Sequence, residues 1–423
     1  MKIRSLQQLE KSLCVIALAA IATAAFAAPD EELLGKSKGY PIGTAANWFF
    51  DESIRVGSFT NQDKVPNIFN GVKPNEVPAG GVVMPLPKAD NEPWGFRWRV
   101  GNQGGLTVDD FLNRQRIMGL LVIKDGIIQI ERYQYERTAD QRFLSNSMAK
   151  SFLSLAIGFA VQDKLLDLDR TADSYVPELK GTIYGEATLK NLLRMSSGAR
   201  FEERYDGKDD LAKYSGLANN QGSAAGAKVI DVRLHPQGEK FNYASAETDM
   251  LGLVLKTVLN GKTISEYFSE RVWKPMGAEK SALWMKVRDG TEKVSGNFNA
   301  TLRDYGRLGV VLANDGMRPD TKQQIIPKQY LEDATRADRQ PEQFRPGKAR
   351  PYFGYGYQFW LFPGRKHRFA AQGVYGQSIF VDPELKLVMV ITAANKTAMA
   401  GQTTMGAETD AFWRGIVGKW GSW

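Results

Sequence analysis

The sequence predicts an α+β protein, an α/β sandwich whose antiparallel sheet is assembled from both ends of the chain. Strand-like segments occur at 120–133 and again at 355–393. Apolar-rich and amphipathic helical segments fill the interval between them. Because each face of a sheet must be covered, we expect helices on both faces and a helical region inserted between the two groups of strands.

The predicted elements follow from local patterns. Two strands surround an Asp-Gly pair, a strong signal for a hairpin, and the long central helices show apolar residues at helical spacing. In chain order we expect a helix at 108–118, strands at 120–123 and 127–133, a helix at 147–163, short helices and Gly/Ser loops at 186–280, a helix at 301–314, strands at 355–362, 378–381 and 387–393, and a closing helix at 406–419.

Three segments make up the predicted domain organisation. Residues 1–27 form a leader, 28–104 an N-terminal extension that wraps the main domain, and 105–423 the main domain. The extension is rich in Gly, Pro, Asn and aromatic residues and shows no sustained helical period, which indicates irregular structure. A chain of 423 residues is long enough to bury a sizeable core.

The leader has the pattern of a secretory signal peptide. Lys2, Arg4 and Lys11 precede an apolar run at 14–26, and small residues around Ala27 suit a signal peptidase. A run of about 13 residues is too short to span a bilayer comfortably, although a membrane anchor is the alternative. We therefore expect cleavage near Ala27 and a periplasmic or secreted protein without a stable membrane anchor.

Composition limits the chemistry and the partners. The chain has two histidines, His235 and His367, and its one cysteine, Cys14, lies in the predicted leader. A metal centre with several His or Cys ligands is therefore not expected. The net charge of +8 becomes about +6 without the leader, and no run of five basic residues occurs, so nucleic acid is not an expected partner.

Ser147 and Lys150 form a Ser-x-x-Lys motif at the start of a predicted apolar helix. Residues three apart share one face of a helix, so the hydroxyl and the amine can lie side by side. A serine needs a neighbour that accepts its proton, and a lysine can do this when burial and the helix N-terminus lower its pKa. The alternative is an ordinary helix N-terminus capped by Ser145.

Tyr243 and Ser245 form a Tyr-x-Ser motif in a loop before a predicted helix. A tyrosine there can carry a proton between the serine, the lysine and a leaving group. A second match, at 267–269, falls in the amphipathic segment 264–273 and is interpreted as core.

A glycine-rich segment, 373–377, precedes the strand predicted at 378–381. Glycine lets another backbone or a ligand approach closely, so this strand could direct a backbone N–H into a site. The alternative is a hairpin turn without a functional role.

Two other serine-hydrolase patterns are rejected. Residues 35–39 match Gly-x-Ser-x-Gly, but no buried strand precedes them as the nucleophile elbow requires. A Ser-His-Asp triad would need His235 or His367, and neither has a supporting context.

Taken in this order, the three motifs resemble those of the serine β-lactamase and penicillin-binding-protein superfamily, in its class C branch. Similar stretches occur at 192–198, 301–307, 355–358 and 379–384, so the resemblance spans about residues 105–420. Within the superfamily, the segments 202–205 and 373–377 most resemble the 6-aminohexanoate-dimer hydrolases and the family VIII carboxylesterases.

The resemblance implies a β-lactamase/transpeptidase-like fold and a serine hydrolase that forms an acyl-enzyme on Ser147 without a cofactor. It implies that Lys150 is the base, that Tyr243 relays a proton, and that the backbone N–H groups of Ser147 and Val374 hold the oxyanion. The substrate contacts implied are Tyr205, Ser245, Gly373, Tyr375 and Gln377.

The third motif departs from the penicillin-recognising pattern. Ala371-Gln372-Gly373 stands where those proteins usually carry Lys-Thr-Gly. The missing lysine removes a cation that would hold a substrate carboxylate, which favours an ester or linear amide as substrate. Two alternatives remain: a β-lactamase or D-alanyl-D-alanine peptidase, and a non-catalytic member that binds cell-wall peptide or another ligand.

Overall fold

The computed structural model describes residues 28–93, 96–399, 401 and 404–423. The predicted leader lies outside the described residues. The described strands, in chain order, are β1 (Asn75–Val77), β2 (Trp98–Val100), β3 (Gln103–Leu106), β4 (Ile117–Lys124), β5 (Ile127–Tyr133), β6 (Arg142–Leu144), β7 (Ala282–Trp284), β8 (Phe298–Thr301), β9 (Met317–Arg318), β10 (Gln323–Gln324), β11 (Gly354–Tyr355), β12 (Trp360–Leu361), β13 (Phe369–Gly373), β14 (Gln377–Asp382) and β15 (Leu387–Ala393).

The described α-helices lie mostly between the two groups of strands that build the main sheet. They are α1 (Arg55–Thr60), α2 (Val108–Arg114), α3 (Met148–Gln162), α4 (Leu189–Leu193), α5 (Asp210–Gln221), α6 (Ser223–Ala227), α7 (Ser245–Val258), α8 (Ile264–Phe268), α9 (Leu302–Ala313), α10 (Lys328–Thr335) and α11 (Met405–Trp420).

The main sheet has seven antiparallel strands in the order β11-β12-β13-β14-β15-β4-β5. Strand β15, from the C-terminal part of the chain, pairs with β4, from the N-terminal part, through the register Leu387↔Lys124 to Ala393↔Ile117. The prediction that the sheet is assembled from both chain ends is therefore confirmed, and so is the α+β class.

The hairpin of β4 and β5 turns at Asp125 and Gly126, as predicted. Both residues have a positive φ, 52° and 78°, which is the backbone that a two-residue hairpin turn requires. Side chains then alternate between the faces of the sheet. Leu121 and Ile123 of β4 face the core that contains α3 and α9, whereas Leu120 and Val122 face α2 and α11.

The helix α9 lies very close to the sheet because it carries two glycines on its inner face. A Cβ on Gly306 would come within 2.6 Å of Leu121, and one on Gly309 within 2.4 Å of Val388. Residues 28–104 pack on the same body: β1 pairs with β7, and Arg55 donates from Nη1 to the carbonyl of Asn395 at 2.7 Å.

Some predicted boundaries are wrong. The helix expected at 108–118 ends at Arg114, because Ile117 already begins the buried strand β4. The strand expected at 355–362 is two short strands, β11 and β12, interrupted where Gln358 adopts a φ of 63°. The segment 264–273 is a short α-helix that continues as a π-helix.

Candidate active site

The serine and lysine of the first motif lie side by side at the N-terminus of α3. Ser147 directly precedes the helix, and Lys150 lies in its first turn. Lys150 Nζ is 2.9 Å from Ser147 Oγ. Ser147 is only 9% exposed and Lys150 only 1%. The pair therefore has the contact through which a hydroxyl proton could pass to the amine.

Lys150 has two further partners that fix its amine in place. Nζ also lies 3.0 Å from Ser245 Oγ and donates to the carbonyl of Ser295 at 2.5 Å. Burial lowers the pKa of Lys150 to about 8, and Lys293 acts in the same direction. The carboxylates of Glu203 and Asp249 oppose this lowering. A lysine with this pKa is partly neutral near pH 8, so it can accept a proton.

Glu203 is a site residue that the sequence reasoning missed. Ser245 begins α7, and its backbone N–H and hydroxyl both donate to the Glu203 carboxylate at 2.8 Å. The Tyr205 hydroxyl donates to the same carboxylate. A continuous chain of hydrogen bonds therefore runs from Ser147 through Lys150, Ser245 and Glu203 to Tyr205. The helix N-terminus favours a carboxylate at this position.

The loop that carries Glu203 and Tyr205 is held by Asp209, the N-terminal cap of α5. The Asp209 carboxylate accepts the backbone N–H groups of Arg204 at 2.6 Å, Tyr205 at 2.8 Å and Ala212 at 2.9 Å. Tyr205 has a φ of 60°, an uncommon backbone for a residue with a large side chain. These contacts hold the backbone of the loop. Burial raises the pKa of Tyr205 well above its usual value, and the Ser147 hydroxyl acts in the opposite direction.

Tyr243 borders the nucleophile on the side of an aromatic cluster. Its ring stacks on Trp360 with centroids 5.6 Å apart, and Lys150 Nζ lies 5.2 Å from its centroid. Burial raises the pKa of Tyr243 well above its usual value, Glu203 adds to this, and a hydrogen bond with Ser147 opposes it. The phenol therefore keeps its proton at neutral pH, close to the Ser147 hydroxyl.

The end of β13 lies against the backbone of Ser147. A Cβ on Gly373 would lie 2.4 Å from the Ser145 carbonyl and 2.9 Å from the Ser147 backbone nitrogen, so only glycine fits there. Asn146 Nδ2 donates to the carbonyl of Val374 at 2.9 Å. The structure thus brings the Ser147 and Val374 backbones together, as an oxyanion hole formed by both N–H groups requires.

Tyr375 and Gln377 shape the loop that carries Val374. Gln377 is fully buried; its amide donates to the carbonyls of Tyr375 at 3.1 Å and Ala393 at 2.7 Å, and its oxygen accepts from Ala393 N–H. Tyr375 is 4% exposed, and Arg55 Cζ lies 4.0 Å from its ring centroid. Both side chains support the loop, and their direct contact with substrate stays a prediction.

The segment 28–104 also contributes to the site. The ring of Phe49 lies 5.1 Å from that of Tyr375 and 6.2 Å from that of Tyr205, between centroids. Phe49 therefore packs against Tyr205 and against the loop that carries Val374. Sequence reasoning did not single it out, because nothing in the local pattern shows which part of the main domain the segment covers.

The model of the Beta-lactamase family matches residues 107–408, which is more than two thirds of the chain. The chain belongs to this β-lactamase family. The match includes the residues described around Ser147, whereas Phe49 and Arg55, which pack on Tyr375, lie outside it.

Proteins named as hydrolases are among the relatives of this family member. The 6-aminohexanoate-dimer hydrolase of Paenarthrobacter ureafaciens is 24% identical over 279 residues, which cover 64% of this chain and 70% of that protein. A Bacillus anthracis structure assigned provisionally to the same enzymes superposes with a TM-score of 0.75 at 24% identity, covering 88% of this chain and 95% of that one. A family VIII carboxylesterase gives a TM-score of 0.55 at 17% identity, covering 70% and 92%. The structural likenesses show the β-lactamase-like fold.

The other serine-hydrolase patterns do not form sites in this family member. Residues 36–38 form one turn of 3-10 helix, without the strand–turn–helix arrangement of a nucleophile elbow. His367 Nε2 lies 3.0 Å from Thr335 Oγ1, an interaction outside the site.

In the part of the chain that the structure describes, no three His, Cys, Asp or Glu side chains come together as a metal site would need. No helix within residues 28–93, 96–399 and 404–423 has the length and apolarity needed to cross a bilayer.

Proposed function

We propose that this protein is a serine hydrolase that cleaves an ester or a linear amide through an acyl-enzyme on Ser147. The observation that carries the proposal is the buried Lys150 amine, with its pKa lowered to about 8, at 2.9 Å from the Ser147 hydroxyl. A neutral amine at this distance can take the hydroxyl proton as the oxygen attacks a carbonyl carbon.

The attack forms a tetrahedral intermediate whose oxygen carries the negative charge. The backbone N–H groups of Ser147 and Val374 are the donors that would hold this oxyanion, and each such donor contributes about 2.7–4 kcal/mol in other hydrolases. The proton taken by Lys150 passes through Tyr243 to the leaving oxygen or nitrogen, and the bond to the carbonyl carbon breaks. Water then attacks the ester on Ser147, and the same groups return the proton to Oγ.

Ester or linear amide cleavage is favoured over β-lactam cleavage. Residues 371–373, Ala-Gln-Gly, contain no lysine, so the cation typical of penicillin-recognising members is missing at this motif. The relatives named as a 6-aminohexanoate-dimer hydrolase and as a carboxylesterase support the same choice.

Three substrates and two variants test the proposal. We expect the purified protein to hydrolyse p-nitrophenyl butyrate and a linear N-acyl amide much faster than the cephalosporin nitrocefin. Ser147→Ala should abolish this hydrolysis. Ser37→Ala, which changes the serine of the rejected elbow pattern, is the matched control and should retain it. Faster turnover of nitrocefin than of the ester would favour the β-lactamase alternative. Hydrolysis by Ser147→Ala would refute the assignment of Ser147 as the nucleophile.

We also propose that the protein acts outside the cytoplasm, because residues 1–27 have the basic start, apolar run and small residues of a cleavable leader. N-terminal sequencing of the protein recovered from its native source should begin near residue 28. A protein that keeps Met1 would contradict the proposal.

A further inference from the structure

Arg350, just before β11, is an exposed cation without an ion-pair partner among the described residues. Two other basic side chains of the same segment have partners: Arg345 Nε donates to the carbonyl of Gln340, and Lys348 forms an ion pair with Glu342 at 3.2 Å. A free guanidinium at a protein surface is ordinary, so its position relative to the site decides whether it has a role.

A short stack of aromatic rings connects Arg350 to Tyr243. Arg350 Cζ lies 5.4 Å from the centroid of Phe241, Phe241 lies 6.0 Å from Trp360, and Trp360 stacks on Tyr243 at 5.6 Å. Ala349 packs against the same cluster. The positive charge of Arg350 also acts directly on the Tyr243 phenol, whose pKa it lowers against the effects of burial and of Glu203.

The other charged groups around Tyr243 are already engaged. The Glu203 carboxylate accepts hydrogen bonds from Ser245 and Tyr205, and Lys150 donates to the carbonyl of Ser295. Arg350 is therefore a cation on this side of the site that has no ion-pair partner among the described residues and can bind an anion. Its planar guanidinium suits a carboxylate, which it can bind through two parallel hydrogen bonds.

We propose that Arg350 binds a carboxylate carried by the leaving group of the substrate. This inference rests on the proposed function, in which Tyr243 gives its proton to the leaving atom. The leaving group must then lie beside the Tyr243 hydroxyl and continue past Trp360 toward Arg350. The preferred substrates are esters of hydroxy or phenolic acids, or amides of amino acids, in which the acid group remains free.

A matched pair of esters tests this specificity. We would measure kcat/KM for 3-carboxyphenyl butyrate and for 3-carbamoylphenyl butyrate, which have the same acyl group and leaving groups of similar size but different charge. Arg350→Gln should lower the ratio of the two values (anionic over neutral) about fivefold, mainly through KM, because a partly exposed charge-assisted contact is lost. Arg350→Lys should lower it less. Lys348→Gln, an exposed charge of the same segment, should leave the ratio unchanged.

The outcomes separate the inference from the proposed function. If both esters are hydrolysed but Arg350→Gln leaves the ratio unchanged, or if Lys348→Gln lowers it equally, the carboxylate site is refuted and the hydrolase stands. If neither ester is hydrolysed and a fluorophosphonate does not label Ser147, the proposed function fails and the inference fails with it.

Discussion

Replacing Glu203 with Gln should move the pH dependence of hydrolysis toward lower pH. The Glu203 carboxylate raises the pKa of Lys150, against the larger lowering by burial. Without this negative charge the charged form of Lys150 is less stable, so its pKa falls. Because the neutral amine is the base, the acid limb of kcat/KM should move in the same direction.

The geometry sets the size of this shift. Two successive hydrogen bonds, of 3.0 Å and 2.8 Å, connect Lys150 Nζ to Glu203 through Ser245. The two charges are therefore at most about 6 Å apart, which corresponds to about 3 kcal/mol at an effective dielectric constant of about 20. Glu203 is partly exposed, and screening by solvent reduces this value by about half. The expected shift is about one pH unit.

The assay is kcat/KM for p-nitrophenyl butyrate between about pH 5 and about pH 10, which extends about two units below the lower and above the higher expected midpoint. The acid limb of the unmodified protein should have its midpoint at about pH 8, and that of Glu203→Gln at about pH 7. Tyr205→Phe is the matched control, since it removes a hydrogen bond to the same carboxylate but keeps the charge, and its midpoint should not move. A midpoint that stays at its original value or rises in Glu203→Gln would refute the reasoning.

Three other substitutions should change the pH profile in the opposite direction, the kcat or the thermal stability. Lys293→Met removes a buried positive charge that lowers the pKa of Lys150, so the acid limb should move to higher pH; an unchanged profile would exclude this coupling. Gly373→Ala places a Cβ against the backbone of Ser147, so kcat should fall about 100-fold as an oxyanion donor is displaced, and a fully active variant would contradict the geometry. Burial raises the pKa of Glu247 to about 8, so the folded state binds this proton more tightly than the unfolded state does. The free energy of unfolding therefore falls as the pH rises from about 4.5 toward 8. Glu247→Gln should therefore raise the Tm at pH 8 but not at pH 4, and an equal change in Tm at both values would contradict this.

The parts of the fold that the sequence predicts well depend on local signals. The Asp125-Gly126 pair fixes the hairpin of β4 and β5 through the positive φ of both residues. The split of the strand expected at 355–362 has a distant cause. The buried amide of Gln358 donates to the carbonyls of Leu192 and Leu193, more than 160 residues away, and the local pattern does not contain this contact.

Some residues of the site can also be predicted from local signals, whereas others depend on distant contacts. The contact between Ser147 and Lys150 is predictable because residues three apart lie on one face of a helix. The role of Glu203 depends on Ser245, 42 residues later, so only the fold reveals it. One signal was present: Glu203 and Tyr205 are two residues apart, a spacing that puts both side chains on one side of an extended segment. The contact of Phe49 with the site has no local signal.

The most direct test of the account is the rate at which a fluorophosphonate labels the protein, measured by mass spectrometry with the adduct mapped to its peptide. The account predicts one adduct, on Ser147, that forms faster as pH rises with a midpoint at about 8, and little or no labelling of Lys150→Ala. An adduct on another residue, or labelling of Lys150→Ala at the rate of the unmodified protein, would contradict a serine nucleophile activated by a buried lysine.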